Sequence, residues 1–583
     1  MALTQSTDSP TSNFATMTPI DGSPAVFSDG NLKITSDTTN AYRGGTSTIG
    51  LPSGSGKWYC EALCTGSTGS NAEYVFGAAV NTTDKAGGYF PGTSGQTAKG
   101  ANDEHGYYSG SGGIVYNGSS STGSVGEYDG GDRVALRFDM DASSPTCKFY
   151  VNNTLKHTAN LTAGVTYFPH FNVQDSGLSF TVNFGASDFT YTLPTGHLAI
   201  SAANMFTATS PTIEDGSAYM QTTIYTGNGG SLSVTQDGTA GDNVAKNSTF
   251  KPDWLWTKKR ASGTGGHALF DVVRTDSNGQ FLRTDNTLAE DDEPGFASFD
   301  VKGFSWDGAG TEVNINANTS TYVAWQWLAD NTVGGSTNGD GSITTTISVN
   351  QTSGFSILTW QGDGNDGATI GHGLGKTPAM IIYRKRAAQQ WFCQHVGCTG
   401  GIAAGGSTKQ LVFDTTPAAE GGPFSGGYID TVGTSTVTLQ EGSSSMVNCN
   451  DSGADYIGYF FAEIPGYSAF GKFFGNGSAD GPFIECGLSP SYVMTKKINT
   501  GTGGEWYTVD SARDTYNPAD LELTWNRNNA EDGDQGSDHL DFLSNGFKMR
   551  SSGGGSANDT GCTTIYMAFA SNPFAGTTPT TAR

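Results

Sequence analysis

The strongest constraint on what this chain can fold into is a long segment used three times. The copies run from about Met220 to Asn331, Gly354 to Gly466 and Phe470 to Phe574. The first opens on Tyr225-Thr226-Gly227-Asn228-Gly229, the second on Trp360-Gln361-Gly362-Asp363-Gly364 and the third on Phe474-Gly475-Asn476-Gly477. A proline-led apolar run follows in each: Pro252-Asp253-Trp254-Leu255-Trp256, Pro378-Ala379-Met380-Ile381-Ile382 and Pro490-Ser491-Tyr492-Val493-Met494. These runs end in Lys258-Lys259-Arg260, Arg384-Lys385-Arg386 and Lys496-Lys497. The copies close on Tyr322-Val323-Ala324-Trp325, Tyr456-Ile457-Gly458-Tyr459 and Tyr566-Met567-Ala568-Phe569. A unit repeated in this way points to a scaffold or binding array rather than a single catalytic pocket.

Elementary backbone rules give each landmark a physical role. Gly-Asn-Gly or Gly-Asp-Gly is a turn that needs positive φ. Proline fits the first residue of a strand, where its missing N–H is tolerated. The closing aromatic–small–aromatic run has the character of a central strand buried on both faces. Asp271 and Arg274 follow the basic cluster in copy one, and Asp510 and Arg513 do so in copy three. Such an Asp-x-x-Arg pair can clamp a loop through charge-assisted hydrogen bonds. Copy two has Trp391-Phe392-Cys393-Gln394-His395 instead, which marks Trp391 and His395 as candidates for specialised contacts. Asn318, Asn450 and Asn558 precede the closing strand in a polar loop. The basic clusters read most simply as aliphatic stems covering apolar edge, with heads in water or paired with acids; anion binding is the competing reading.

Glycine is abundant at 83 of 583 residues, charged residues are 15% and aromatics 11%. Short Val/Thr/Tyr/Phe/Trp runs between Gly-rich turns give an all-β chain, with enough aromatic material for a packed core. The net charge of −25 opposes a phosphate backbone, so no nucleic-acid partner is expected. No apolar run reaches the ~20 residues of a spanning helix, and the N-terminus lacks the basic and apolar regions of a secretory signal. None of the eight cysteines forms a CxxC pair, so no zinc site is expected. They read as reduced core residues, with Cys393 and Cys398 the best-placed exception.

Residues 1–205 read as consecutive short strands. Val134, Leu136, Phe138 and Met140 alternate with Ala135, Arg137 and Asp139, the period of a half-buried strand. Asn152-Asn153 tolerates positive φ and suits a two-residue hairpin. Trp58 and Phe149 read as core. Tyr107, Tyr108 and Tyr116, in a Gly/Ser-rich context, are candidates for an exposed aromatic surface that recognises carbohydrate or protein. Gly56-Lys57-Trp58-Tyr59-Cys60-Glu61, Gly106-Tyr107-Tyr108, Gly131-Asp132-Arg133-Val134, Phe149-Tyr150-Val151-Asn152-Asn153, Tyr167-Phe168-Pro169 and Asn183-Phe184-Gly185 occur in the order seen in SPRY domains, and this third of the chain resembles that family. The resemblance implies a bent sandwich of two antiparallel sheets with partner-binding loops and no chemistry. The family usually has Asn-Gly at the hairpin, where this chain has Asn152-Asn153. The stretch from Asn81 to Asp103 has no counterpart, so no ligand transfers.

Copy three, through Phe470-Gly471-Lys472-Phe473-Phe474-Gly475-Asn476-Gly477, Trp506 with Asp510 and Arg513, Ser544-Asn545-Gly546-Phe547-Lys548-Met549-Arg550 and Tyr566-Met567-Ala568-Phe569-Ala570, resembles a domain of unknown function in virion structural proteins of tailed phages. Copy two shares the pattern through Phe355-Ser356-Ile357-Leu358-Thr359-Trp360 and His372-Gly373-Leu374-Gly375. That resemblance implies concanavalin-like sandwiches in a head or tail appendage and no catalytic residues. The expected organisation is one SPRY-like sandwich (1–205) and three repeated sandwiches (206–335, 350–466 and 467–583).

The chain carries no GxSxG, HExxH or P-loop. His372 reads as a turn residue. Glu290-Asp291-Asp292-Glu293 reads as a solvated loop. Glu531, Asp532, Asp534 and Asp538 lack the spacing of a calcium loop. Sequons at Asn81, Asn117, Asn152 and Asn160 are expected by chance in so Ser/Thr/Asn-rich a chain. The expectation is therefore a non-enzymatic virion fibre or appendage subunit with no cofactor and no metal. It would assemble in the host cytoplasm with other virion proteins, as a homo-oligomer with a trimer as default, and bind host surface glycans. A tailspike-type polysaccharide-degrading enzyme and a capsid decoration protein are the alternatives, since fold alone does not decide function.

Overall fold

The computed structural model describes residues 14–18, 26–36, 43–66, 73–80, 105–117, 120–163, 165–201, 204–205, 213–235, 248–260, 265–274, 279–330, 332–398, 410–414, 428–440, 449–499, 504–531, 539–551 and 557–571. The stretch Asn81 to Asp103 and residues Asp532, Asp534 and Asp538 lie outside these. The regular structure is almost entirely antiparallel β, as the sequence predicts. Two compact units divide the chain, one built on Met1–Pro211 and the other on Thr212–Ala479 with Leu488–Thr578.

The first unit packs an eight-stranded sheet on a six-stranded one. In the larger sheet, Lys57–Thr65 lies between Arg133–Asp139 and Ser179–Asn183, and Arg133–Asp139 continues to Thr146–Val151. In the smaller, Tyr74–Val80 lies between Tyr167–Val173 and His105–Tyr108. Alternation decides which side chains enter the core: Val134, Leu136, Phe138 and Met140 join Trp58, Phe149, Phe76 and Phe171 in one apolar cluster. The Thr146–Val151 hairpin turns on Asn152 and Asn153 at φ 48° and 60°, so both asparagines take the left-handed conformation that the turn requires.

In the second unit each copy of the repeat builds a main sheet with one strand order. The opening strand pairs with the closing strand, the closing strand with the proline-led strand, and that strand with its hairpin partner. In copy one these are Met220–Thr226, Thr321–Trp327, Trp254–Lys259 and His267–Asp271. In copy two they are Phe355–Gln361, Asp455–Phe461, Met380–Lys385 and Phe392–His395. In copy three they are Ser468–Phe474, Thr563–Phe569, Tyr492–Lys497 and Trp506–Asp510. Register is also preserved: Trp254 lies opposite Trp327, Met380 opposite Phe461 and Tyr492 opposite Phe569.

The closing strand is buried on both faces. One face meets the copy's own core: Tyr322 and Ala324 pack with Phe304 and Trp306, and Tyr456 and Phe460 with Val437 and Leu439. The other face enters a core common to all three copies, through Val323, Trp325 and Trp327, then Ile457, Tyr459 and Phe461, then Ile565, Met567 and Phe569. At its centre the rings of Trp327, Phe461 and Phe569 form a nearly equilateral triangle, with centroids 6.3, 6.1 and 6.0 Å apart. Each copy has a three-stranded sheet besides its main sheet, and the three copies close into a ring around shared aromatic packing.

The opening turn is held the same way in each copy. Gly229, Gly364 and Gly477 adopt φ of 75°, 73° and 67°. Their N–H groups donate to the carbonyls of Asn316, Asn450 and Asn558 at 2.8, 2.9 and 2.7 Å. The side chains of those buried asparagines accept from Asn228, Asp363 and Asn476 N–H, each at 3.0 Å. Asn316, not the exposed Asn318, is therefore the first copy's equivalent of Asn450 and Asn558. Asn558→Ala is expected to lower stability by about 1–3 kcal/mol, because it strands buried turn groups. Asn318→Ala should stay within about 0.5 kcal/mol. Urea denaturation of both variants checks the difference.

Candidate functional site

The charged signatures of the repeat converge on the seams between copies. At the seam of copies one and two, Asp271 accepts from Arg274 at 2.6 Å, and Arg274 reaches Glu290 at 2.6 Å. Arg386 of copy two donates to the same Glu290 at 2.7 Å. The Tyr459 hydroxyl donates to Asp271 at 2.9 Å and accepts from Arg274 at 3.1 Å. Burial alone would raise the Glu290 carboxyl, yet Arg274 and Arg386 hold it below the usual range.

The seam of copies three and one repeats this with different chain positions. Asp510 accepts from Arg513 at 2.6 Å, Arg513 reaches Glu531 at 3.0 Å and Arg260 of copy one reaches Glu531 at 2.8 Å. Trp325 Nε1 replaces the tyrosine hydroxyl, donating to Asp510 at 3.0 Å. Register places His395 of copy two where Asp271 and Asp510 stand in the others, opposite Met380, Trp254 and Tyr492 respectively. The seam of copies two and three accordingly has no ion clamp: His395, Cys398, Phe413 and Ile498 line it, and the Phe413 ring packs tilted on Trp506 at 4.6 Å.

The first cation of each basic cluster caps carbonyls. Lys258 Nζ donates to Asn529 O at 2.6 Å in copy three, and Arg384 donates to Leu288 O at 2.7 Å in copy one. Lys496 donates to Gly504 O at 2.7 Å within its own copy. Burial lowers both lysines to about 8. The heads are thus bound by protein rather than left to water or an external anion. The acidic run is also structural in part: Glu290 bridges a seam, and buried Glu293 accepts N–H bonds from Gly295, Thr311, Glu312 and Val313 at 2.9–3.0 Å. The bridging acids follow their arginines at unequal spacings, Glu290 16 residues after Arg274 and Glu531 18 after Arg513, so no fixed spacing marks them in the sequence.

Trp391 and His395 are fully buried, which corrects their assignment as binding residues. Trp391 Nε1 donates to Arg283 O at 2.6 Å, tying copy two to copy one. His395 lies against copy three, donating from Nε2 to Tyr566 O at 3.0 Å. Tyr107 is likewise core, packed on Tyr128 and Phe149 with its hydroxyl donating to Gly126 O. Adjacent strand residues point to opposite faces, so Tyr107 and Tyr108 cannot share a surface. Tyr108 is on the outer side of the smaller sheet, grouped with Val75 and half-buried Tyr116, and donates to Glu73 at 2.8 Å. Of the five candidates, Tyr108 and Tyr116 alone are brought together. All eight cysteines are free thiols, Cys393 and Cys398 included. Among the described residues no His/Cys/Asp/Glu group has the arrangement of a metal site, and no helix is long and apolar enough to cross a membrane.

The fold and its seams define a class: an all-β chain in which a sandwich precedes a closed ring of three repeats. Residues 215–573 match the family described as Domain of unknown function (DUF7483), and the chain belongs to that family. Among solved structures it is similar to a human SPRY domain at 13% identity, covering 28% of this chain and 97% of that one with a TM-score of 0.22. The SPRY domain of human HERC1 is similar at 16% identity, 32% and 99% coverage and a TM-score of 0.21. The metal-free carbohydrate recognition domain of Emp46p is similar at 10% identity, 28% and 84% coverage and a TM-score of 0.21. No curated protein matches it.

Arg274→Met is expected to destabilise the protein by about 3–5 kcal/mol, because Asp271 and Glu290 lose a buried partner. Lys57→Met, at the exposed pair with Asp139, should leave the denaturation midpoint nearly unchanged. Guanidinium denaturation followed by tryptophan fluorescence distinguishes the two.

Proposed function

We propose that this chain is a non-catalytic structural subunit of a tailed-phage virion, a head or tail appendage that takes part in host attachment. One observation carries the reading: the recurring charged residues are bonded to protein groups, Lys385, Lys496 and Lys497 within their own copies and Arg260, Arg274, Arg386 and Arg513 in two of the seams. The repeated part then serves as a rigid mount, not as three active sites. The resemblance of copies two and three to a domain of phage virion proteins supports the location.

On this reading the first unit does the recognising, through the outer face that carries Tyr108 and Tyr116, and host surface glycan is the receptor class. Its other partners are virion proteins and further copies of itself, assembled in the host cytoplasm. The default assembly is a trimer. Because the ring closes within one chain, such a trimer would be built on surfaces other than the seams.

The test incubates the protein with host surface polysaccharide. Retention on the polysaccharide without new reducing or unsaturated ends is expected, and Tyr116→Ala should weaken retention several-fold with the thermal midpoint unchanged. Chain cleavage would overturn the non-catalytic reading in favour of a depolymerase. Antibody-labelled particles viewed by electron microscopy separate a tail appendage from head decoration, and no label on particles would sink the virion assignment.

A further inference from the structure

Two histidines occupy seams of the ring, and both seams border copy three. His395 lies between copies two and three: its Nδ1 accepts from Gly397 N–H at 3.0 Å while Nε2 donates to Tyr566 O at 3.0 Å. His267 lies between copies three and one: its Nδ1 accepts from Trp256 Nε1 at 2.8 Å while Nε2 faces Thr524 O and Arg527 O, each at 3.0 Å. Backbone N–H and indole N–H can only donate, so each Nδ1 must keep its lone pair. A second ring proton would set N–H against N–H in a buried site. The seam of copies one and two has Asp271 and Trp391 at the corresponding positions and so holds no histidine, although it shares its ion clamp with the seam of copies three and one. His372 shows the same bonding, with Leu374 N–H and Gly433 O, but entirely inside copy two.

We infer that the ring contains a proton-operated release: acidification frees copy three from copies one and two while the seam between those two stays closed. Protonation favours whichever state lets each imidazole reach water, and only separation of copy three does so for both.

The surroundings reinforce the direction. Burial lowers His395 to about 3; Cys398 N–H donates to its carbonyl at 3.0 Å, and Phe470, whose N–H donates to the Glu463 carboxylate, packs against its ring. His267 is also lowered to about 3, by burial and then by the Lys258 ammonium; Asp285 accepts from its backbone N–H, and Arg527 and Trp256 complete its surroundings. Both histidines sit below their free value of about 6.5, so the open form binds the protons. Closure is complete above pH about 6.5 and weakens as pH falls towards the closed-state values, by up to about tenfold per unit for each histidine. Asp285 and Glu463, which burial raises, take protons in the closed form and offset part of this.

Hydrogen exchange of the full chain from pH 7 to 4.5, corrected for intrinsic rates, tests the inference. Expected is early loss of protection at the Glu531 amide, which donates to Arg260 O across the seam of copies three and one, with the Glu290 amide, which donates to Arg386 O across the seam of copies one and two, still protected. The variants His267→Gln and His395→Gln should each flatten that acid response. Simultaneous loss at the two amides, or earlier loss at Glu290, would overturn the inference. So would an unchanged acid profile in the double variant. Should the variants not fold, the order of loss in the unaltered chain decides the matter alone.

Discussion

Packing of the three closing strands against one another is the interaction on which the second unit depends. Each strand sits mid-sheet and presents alternate residues to two cores, so its sequence is mostly apolar rather than alternating, with buried Gln326 and Thr564 as polar members. On the inner side small residues such as Ala324 and Gly458 alternate with the rings of Tyr322, Tyr456 and Phe460. A Cβ at Gly458 would come within 2.8 Å of the Phe460 ring. Large rings serve the other side, where Trp254 stacks on Tyr459 at 4.3 Å and Trp256 packs on Trp525 at 4.4 Å across the copies. A sheet left with that outer face in water would expose an aromatic stripe, so the copies hold together for the reason that any core does.

Apolar packing supplies attraction but little orientation, and the buried polar groups supply the latter. Arg274 and Arg513 each meet two carboxylates with no solvent exposure of the guanidinium. Taking such groups out of water is expensive, and their net contribution to stability is small compared with the cost of leaving one unpaired. They fix which copy meets which, because Arg386 matches Glu290 and Arg260 matches Glu531. The remaining seam omits the clamp altogether. Its His395, Cys398 and Ile498 show that the ring tolerates one joint without charge.

The sequence carried the local geometry well and the interfaces poorly. Turn glycines, strand-initiating prolines and the Asn152-Asn153 hairpin were legible because each is set by backbone φ within a few residues. Sequence alone does not separate Asn316 from Asn318, because the loop holds several asparagines and only the hydrogen bonds to Asn228 and Gly230 single out Asn316. Trp391 and His395 looked like a surface specialisation because they break the pattern of the other copies. A break in a repeated pattern marks a changed neighbour, and here that neighbour is another part of the same chain. Tyr107 was misread for a simpler reason: two consecutive residues on a strand cannot face the same way.

The seam between copies three and one has a consequence for how the protein is made. Arg260 and Glu531 are 271 residues apart in sequence, and Trp325 and Asp510 are 185 apart. A linear array of repeats can gain stability with each unit added. A ring cannot, because its first copy waits for its last. Until the third copy leaves the ribosome, at ~5–20 residues per second, the aromatic faces of the first two have no complete partner. Contacts of such long sequence separation slow folding, so newly made chains spend an interval with sticky faces uncovered. Crowded synthesis of many chains would therefore place the burden on copy three, whose arrival turns two adhesive pieces into one closed body.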